Sequence, residues 1–383
     1  MEKSKENIIT NFEELNLREN VLRGIYSYGF EKPSEIQSKA IKPIISGLDV
    51  IAQSQSGTGK TGTFVISALE RIDESVEGVQ GIIIAPTREL AIQIFDVCKN
   101  IGQYTKIKPV LCVGGSNIID SRRELDRGVI VVIGTPGRII DMIEKNFLSP
   151  RMVRILILDE ADEMLSDSFL KQIRYIIEQL SNNTQICLFS ATMPDEIVRI
   201  TTHFMNHPQN ILINPEMLTL EGIKQFYINI QQENWKFTTF CDLYDMISIS
   251  QSMVYVNTKK KAEWLREKLM DKSFTVSMIH SDMKPCERSS IMKDFRAGGT
   301  RILISTDLLS RGIDIQQVSI VINYDLPNNK ECYIHRIGRS GRFGRKGVAI
   351  NFITNKEFWK IDELRTYYGT NIEPMPVNVN DFL

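Results

Sequence analysis

The sequence predicts an α/β protein made of two tandem domains, each an open parallel sheet. Three observations carry this: β-branched runs recur between amphipathic stretches, the pattern breaks once near residue 214, and 383 residues exceed the size at which single cores usually stop growing. In the first half GIIIAPT, PVLCVGG, VIVVIGT, RILILDE, QICLFSAT and NILINP each read as a buried strand. Segments with helical spacing, such as RELAIQIFDVCKNIG and DSFLKQIRYIIEQL, separate them, so the unit is a repeated βαβ with right-handed crossovers. NPEMLTLEGI has no apolar period and reads as a linker; IKQFYINI, SMVYVNT, TVSMIHS, RILISTD and VSIVINYD then resume the pattern. The expected division is 1–40 as an N-terminal extension, 41–213 as the first domain, 214–222 as the linker and 223–383 as the second domain.

Composition narrows the function classes. Charged residues at 24% and hydrophobic ones at 42% exclude a disordered or fibrous chain. A net charge of -1 denies the protein a global positive field, so a polyanion has to be held by local clusters. Six scattered cysteines without a C-x-x-C pair suggest a reducing compartment. The start MEKSKENIIT has no apolar signal region and no apolar run reaches bilayer length, so neither secretion nor a membrane is expected. His203 and His207 have the spacing of paired metal ligands, but Pro208 follows at once and no third ligand is near in sequence, which argues against a metal there.

The stretch DVIAQSQSGTGKTGTF puts a strand before a glycine-containing loop and a helix after Lys60, the context of a phosphate loop. Gly57 and Gly59 let backbone N–H groups turn inward, Lys60 reaches the β and γ phosphates, and the helix N-terminus adds partial positive charge. Ser54, Gln55, Ser56 and Thr58 complete the nucleotide-contacting loop, although Ser54 stands where the loop pattern has glycine. Thr61 offers its hydroxyl to magnesium. RILILDEADEM supplies the acidic partner, an apolar strand delivering Asp159 to hold magnesium through water and Glu160 to orient or deprotonate the attacking water. A plain acidic helix start is the alternative, disfavoured because the preceding strand carries the acids to its carboxyl end. One basic cluster stands out, YIHRIGRSGRFGRKG, with arginines at 336, 339, 342 and 345; alone it reads first as a solvated loop.

With these motifs the chain resembles the DEAD-box family of ATP-dependent RNA helicases, whose two RecA-like domains place nucleotide and RNA in the cleft between them. The likeness also runs through GFEKPSEIQ, PTREL, TPGR, SAT, STD, SRGID and HRIGRSGR, in that order. RGIYSYGFEKPS, VINYDLP and GRKGVAINF are most similar to its initiation factor 4A branch, which includes an exon-junction paralogue. The resemblance implies that Gln37 reads the adenine edge and Phe30 stacks on the base. It implies Gly312 and Asp314 near the nucleotide from the second domain, Asp314 on the ribose. Arg339 and Arg342 would reach the γ phosphate as arginine fingers, worth about 10³ to 10⁵ in rate. Asp162, Ser190 and Thr192, with His335 and Arg336, form the implied coupling network.

Family positions lining an RNA groove fall on Thr87, Arg88, Gly115, Thr135 and Arg138 in the first domain and Arg288, Thr306 and Arg311 in the second. Such hydroxyl, backbone and guanidinium groups suit sequence-independent contact to phosphate and 2′-OH. Two departures bear on RNA affinity: Pro285 replaces the glutamine of Q-x-x-R, and Ser310 replaces the usual alanine before Arg311. Lysines 259 to 261 read as a solvated helix face before a phosphate contact. The expected protein is a cytoplasmic monomer, with a nuclear location left open, that couples RNA-stimulated ATP hydrolysis with Mg²⁺ to local duplex unwinding. It acts on single-stranded or short duplex RNA, with a protein scaffold regulating domain closure. The alternative is an ATP-gated RNA clamp within an exon-junction-type complex.

Overall fold

The computed structural model describes residues 9–126, 128–212, 222–247, 249–315, 317–340 and 347–376. The chain divides into two compact units, one running to Ile213 and one from Asn214. Apart from Gly222, the expected linker lies outside the described residues.

In the first unit seven strands form one parallel sheet: β1 (Val50–Gln53), β2 (Gly78–Ile84), β3 (Lys108–Cys112), β4 (Val129–Gly134), β5 (Ile155–Asp159), β6 (Gln185–Ser190) and β7 (Gln209–Leu212). Their order is β3-β4-β2-β5-β6-β1-β7, all neighbours parallel. Alternation of side chains along each strand feeds two cores. Val131, Ile133, Ile155 and Ile157 face one, with Phe64, Leu90 and Ile94 from the helices Lys60–Arg71 and Arg88–Ile101. Ile130, Val132, Leu156 and Leu158 face the other, with Met142 and Ile173. Burial on both faces is why these strands are continuously apolar. Phe12, Leu15, Val21, Ile25, Ile36 and Ala40 belong to the first of these cores, so the described part of the expected N-terminal extension packs as part of the unit. The glycine in RGIY has a reason here: a Cβ on Gly24 would collide with the Ile101 carbonyl oxygen.

The second unit repeats the plan with β8 (Ile223–Asn229), β9 (Ser252–Tyr255), β10 (Val276–Ile279), β11 (Ile302–Ser305), β12 (Ile320–Asn323), β13 (Gly347–Ile353) and β14 (Glu373–Pro374). The order is β10-β11-β9-β12-β13-β8-β14, again parallel throughout. Met253, Tyr255, Leu303 and Val321 line one core; Val254, Ile302, Ile304, Ile320 and Ile322 line the other. Parallel pairing puts every strand's carboxyl end on one edge of its sheet, the edge where open α/β sheets bind ligands. Among the described residues no helix is long and apolar enough to cross a membrane.

Candidate nucleotide and nucleic-acid site

At the end of β1 the Ser54 amide donates to the Ser190 carbonyl at 3.1 Å, extending the β1–β6 pairing into the loop. Gly57 and Gly59 then take φ of 83° and 104°, left-handed conformations that favour glycine. A side chain at 59 would also collide, since its Cβ would lie 2.7 Å from Ser34 Oγ. Lys60 opens the following helix and is buried, its Nζ donating to the Ser54 carbonyl at 2.6 Å. Ser54, the departure from the loop pattern, has its hydroxyl 2.8 Å from that of Thr58, which in turn donates to the Gln55 carbonyl. Gln55, Ser56 and Thr61 are half-buried around this turn.

Neighbouring strand ends supply acid. Asp159 closes β5, accepts the Glu160 amide at 3.0 Å, and is pushed up to about 7 by burial first and by the Glu160 carboxylate second, with Lys60 opposing. Glu160 has φ 52°, a left-handed conformation uncommon outside glycine, as it caps the short helix Ala161–Met164. Asp162 accepts from the Ser190 hydroxyl at 2.7 Å and from the Thr192 hydroxyl at 2.8 Å, while Ser190 Oγ accepts the Thr192 amide at 3.2 Å. The acidic turn after β5 and the loop after β6 are thereby clasped together. Gln37 takes part in a different joint. Its Oε1 accepts the Ser34 amide at 2.8 Å, closing the capping box of helix Glu35–Ile45, and its Nε2 donates to the Gly59 carbonyl at 3.4 Å. Phe30 stacks on Phe12 at 6.5 Å and meets the edge of Tyr28 at 5.0 Å.

On the other half of the same edge, Gly115 follows β3, Thr135 follows β4 and Thr87 follows β2, three strands adjacent in the sheet. Thr87 caps helix Arg88–Ile101 through the Leu90 amide. Arg88 donates to the Gly114 carbonyl, and Arg138 donates to the Ser116 carbonyl at 3.2 Å and hydroxyl at 3.1 Å. Both arginines thus brace the loop that holds Gly115, whose φ is 78°. Sequence reasoning misses Ser116; an isolated serine after two glycines carries no signal of an arginine 22 residues on.

In the second unit Thr306 leaves β11 as the capping residue of the turn Asp307–Leu309, and Arg311 pairs with His335 Nε2 at 3.0 Å. Gly312 has φ 62°, and Asp314 is half-buried. Arg288 lies on helix Pro285–Arg296, where Pro285 takes the first helical position and so forfeits no helical hydrogen bond. Ser310 donates to the Asp307 carbonyl at 2.7 Å, which satisfies its hydroxyl. Arg336 is fully buried and bonds within its own unit to Asp307 at 2.7 Å, Asn257 at 2.8 Å, Asn323 at 3.2 Å and the Asp325 carbonyl at 2.8 Å. Arg339 donates to the carbonyls of His335 and Ile313. Arg342 and Arg345 lie outside the described residues. Lys261 sits neither on a plain solvated face nor free for phosphate: it pairs with Asp325 at 2.6 Å and Glu233 at 2.7 Å.

Comparison with known proteins shows the family. The DEAD/DEAH box helicase family profile matches residues 34–200, and that of the helicase conserved C-terminal domain matches 235–344. The chain is 53% identical over 381 residues to the ATP-dependent RNA helicase eIF4A of Meyerozyma guilliermondii, covering 100% of this chain and 96% of that one. It is 50% identical over 383 residues to eukaryotic initiation factor 4A of Caenorhabditis elegans, covering 100% and 95%. Among solved structures it resembles S. cerevisiae Dbp5 bound to RNA and ADP BeF3, with TM-score 0.91, 36% identity and 97% of each chain covered. Mss116p bound to ssRNA and AMP-PNP gives TM-score 0.86 and 28% identity over 95% of this chain and 79% of that one. Carrying both helicase profiles and about half its residues in common with these factors over its full length, the chain belongs to the DEAD/DEAH box helicase family, as an ATP-dependent RNA helicase of the initiation factor 4A type.

Proposed function

We propose that the first unit divides the carboxyl edge of its sheet between two ligands, ATP over β5-β6-β1 and an RNA strand over β3-β4-β2. That division is the observation supporting the reading: Lys60, Asp159, Glu160 and Ser190 lie at or beyond the ends of one set of three adjacent strands, and Thr87, Gly115 and Thr135 beyond the ends of the other. Gln37 and Phe30 take the adenine. Lys60 exchanges its bond to the Ser54 carbonyl for the β and γ phosphates, a swap of one oxygen acceptor for another of higher charge. The donor set fits a hard divalent cation, because two adjacent buried carboxylates with one lysine leave surplus negative charge. Thr61 and, through water, Asp159 would hold magnesium, which when bound neutralises phosphate charge. Glu160 orients the attacking water and takes its proton.

Arg339 and Arg342 supply positive charge to the γ phosphate when the second unit closes on the first, and Asp314 meets the ribose. Arg138, Arg88 and the loop at Gly115, with Arg288, Thr306 and Arg311, hold RNA through its backbone, independently of sequence. Hydrolysis then releases a strand separated locally from its duplex. The protein acts as a cytoplasmic monomer whose closure a protein scaffold regulates. Lys60→Ala and Glu160→Gln are each expected to bring RNA-stimulated phosphate release to background and to abolish displacement of a short duplex. Wild-type turnover in either variant overturns the assignment.

A further inference from the structure

A line of hydrogen-bonded polar side chains crosses the interior of the second unit. Thr370 Oγ1 accepts from Gln225 Nε2 at 2.7 Å, and Gln225 Oε1 accepts from the Tyr333 hydroxyl at 2.8 Å. Asn351 Nδ2 donates to that hydroxyl at 3.2 Å and to the Phe226 carbonyl at 2.9 Å. Asn323 Nδ2 donates to Asn351 Oδ1 at 2.8 Å, and Asn323 Oδ1 accepts from Arg336 at 3.2 Å. Gln225, Asn351 and Asn323 stand on β8, β13 and β12, three consecutive strands of the sheet, and Asn323 and Asn351 are register partners. Tyr333, Asn323, Asn351 and Arg336 are all fully buried.

Stability alone does not call for such residues. The rest of β12 is Ile and Val and the rest of β13 after Gly347 is Val, Ala, Ile and Phe, and a buried polar network replaced as a whole by apolar side chains is often neutral in stability. The polar line adds a unique orientation. Tyr333 and Arg336 lie three apart on the helix Lys330–Ile337 and so share a face, one tied to β8 and β13, the other to the exits of β9, β11 and β12. Two anchors on one face fix the helix's rotation about its axis. That rotation aims His335, paired with Arg311, and Arg339, four residues on, while Arg336 grips Asp307 beside Thr306.

We infer that Tyr333, Asn351 and Asn323 are positioning residues for the reaction, holding the arginine helix in register with the strand ends. This rests on the proposed role of Arg339, and the tests separate the two. In the full chain, Asn323→Leu and Asn351→Leu are expected to lower RNA-stimulated kcat by about tenfold, with the KM for ATP within about twofold. Each substitution leaves a buried polar partner unsatisfied and is expected to lower the thermal midpoint, so kcat is read per mole of folded protein. Tyr333→Phe, which deletes one oxygen, should do the same more mildly, and pairing it with Asn351→Leu should cost less than the product of the two single effects. Wild-type kcat in the folded Asn323→Leu and Tyr333→Phe proteins overturns the inference, as does a kcat loss that merely follows loss of folded protein. If Arg339→Ala leaves turnover unchanged, the proposed role of Arg339 fails, irrespective of how these variants behave.

Discussion

Ser190→Ala isolates the clasp between the acidic turn and the loop after β6. Ser190 is fully buried and Asp162 nearly so, and the lost oxygen both donates to Asp162 at 2.7 Å and accepts the Thr192 amide at 3.2 Å. Hydrogen bonds to charged groups contribute about 1.5 to 3 kcal/mol, so about 2 kcal/mol of stability should go. For a unit of this size that lowers the melting midpoint by ~4 to 8 °C. Nucleotide binding should survive, because the link from this strand end to the phosphate loop uses the Ser190 carbonyl, which the substitution leaves in place. Strand displacement should fall further than ATP affinity, since Thr192 then keeps its hydroxyl bond to Asp162 at 2.8 Å while its loop retains the Gln53 bond to the Ala191 carbonyl at 3.3 Å. Calorimetry, RNA-stimulated phosphate release and displacement of a labelled short duplex measure the three quantities. A folded variant melting within ~1 °C of wild type would refute the energetic argument. Additive losses in Ser190→Ala/Thr192→Val would refute the shared clasp.

Further outcomes follow from single contacts. Ser54→Ala removes only the hydroxyl bond to Thr58 and should raise the KM for ATP no more than about fivefold, equivalent to ~1 kcal/mol; loss of ATP binding would contradict this. Gly59→Ala meets both a φ of 104° and a contact of 2.7 Å, so nucleotide binding, read by titration with a fluorescent ATP analogue, should be lost. Arg138→Ala frees the loop at Ser116 and should raise the RNA concentration for half-maximal stimulation by about tenfold, a shift that steeper salt dependence in the wild type should accompany. Lys261→Ala should cost about 1 kcal/mol by melting, since Asp325 keeps Lys236 and the Asn257 amide, and should leave RNA affinity unaltered.

How much is legible in the sequence depends on how far apart the interacting residues stand. The strands are readable because burial on both faces of a parallel sheet forces runs such as VIVVIG and ILILD to be apolar throughout. The phosphate loop is readable because its glycines, lysine and helix start are contiguous. The order of strands across the sheet is not, since β2 pairs with β5 across a gap of more than seventy residues. The same distance hides the destination of Arg336, whose partners Asn257 and Asp307 lie 79 and 29 residues away. Lys261 misleads for that reason: its own helix shows a row of lysines, and its acids come from elsewhere, 64 and 28 residues distant. The N-terminal segment packs into the first core through Phe12, Leu15 and Val21, too short a period to read as part of a domain.

The boundary between the two proposed ligand halves of the first sheet falls between β2 and β5, where Ile84 and Leu158 are register partners inside the buried core. Strands so paired and packed cannot shift singly, because interiors at crystal-like density respond to strain as a body. On that proposal, communication between RNA and nucleotide runs through the loops beyond the strand ends. There the structure offers a few separate joints: Arg88 on Gly114, Arg138 on Ser116, Gln37 on Gly59, and Asp162 on Ser190 and Thr192. Each rests on one to three hydrogen bonds, about 1 to 3 kcal/mol apiece, comparable with the 1 to 3 kcal/mol typical of coupling between sites. Joints of that strength hold a loop in place without the ligand and can exchange partners with it, whereas the sheet beneath supplies the fixed frame against which the exchange has a direction.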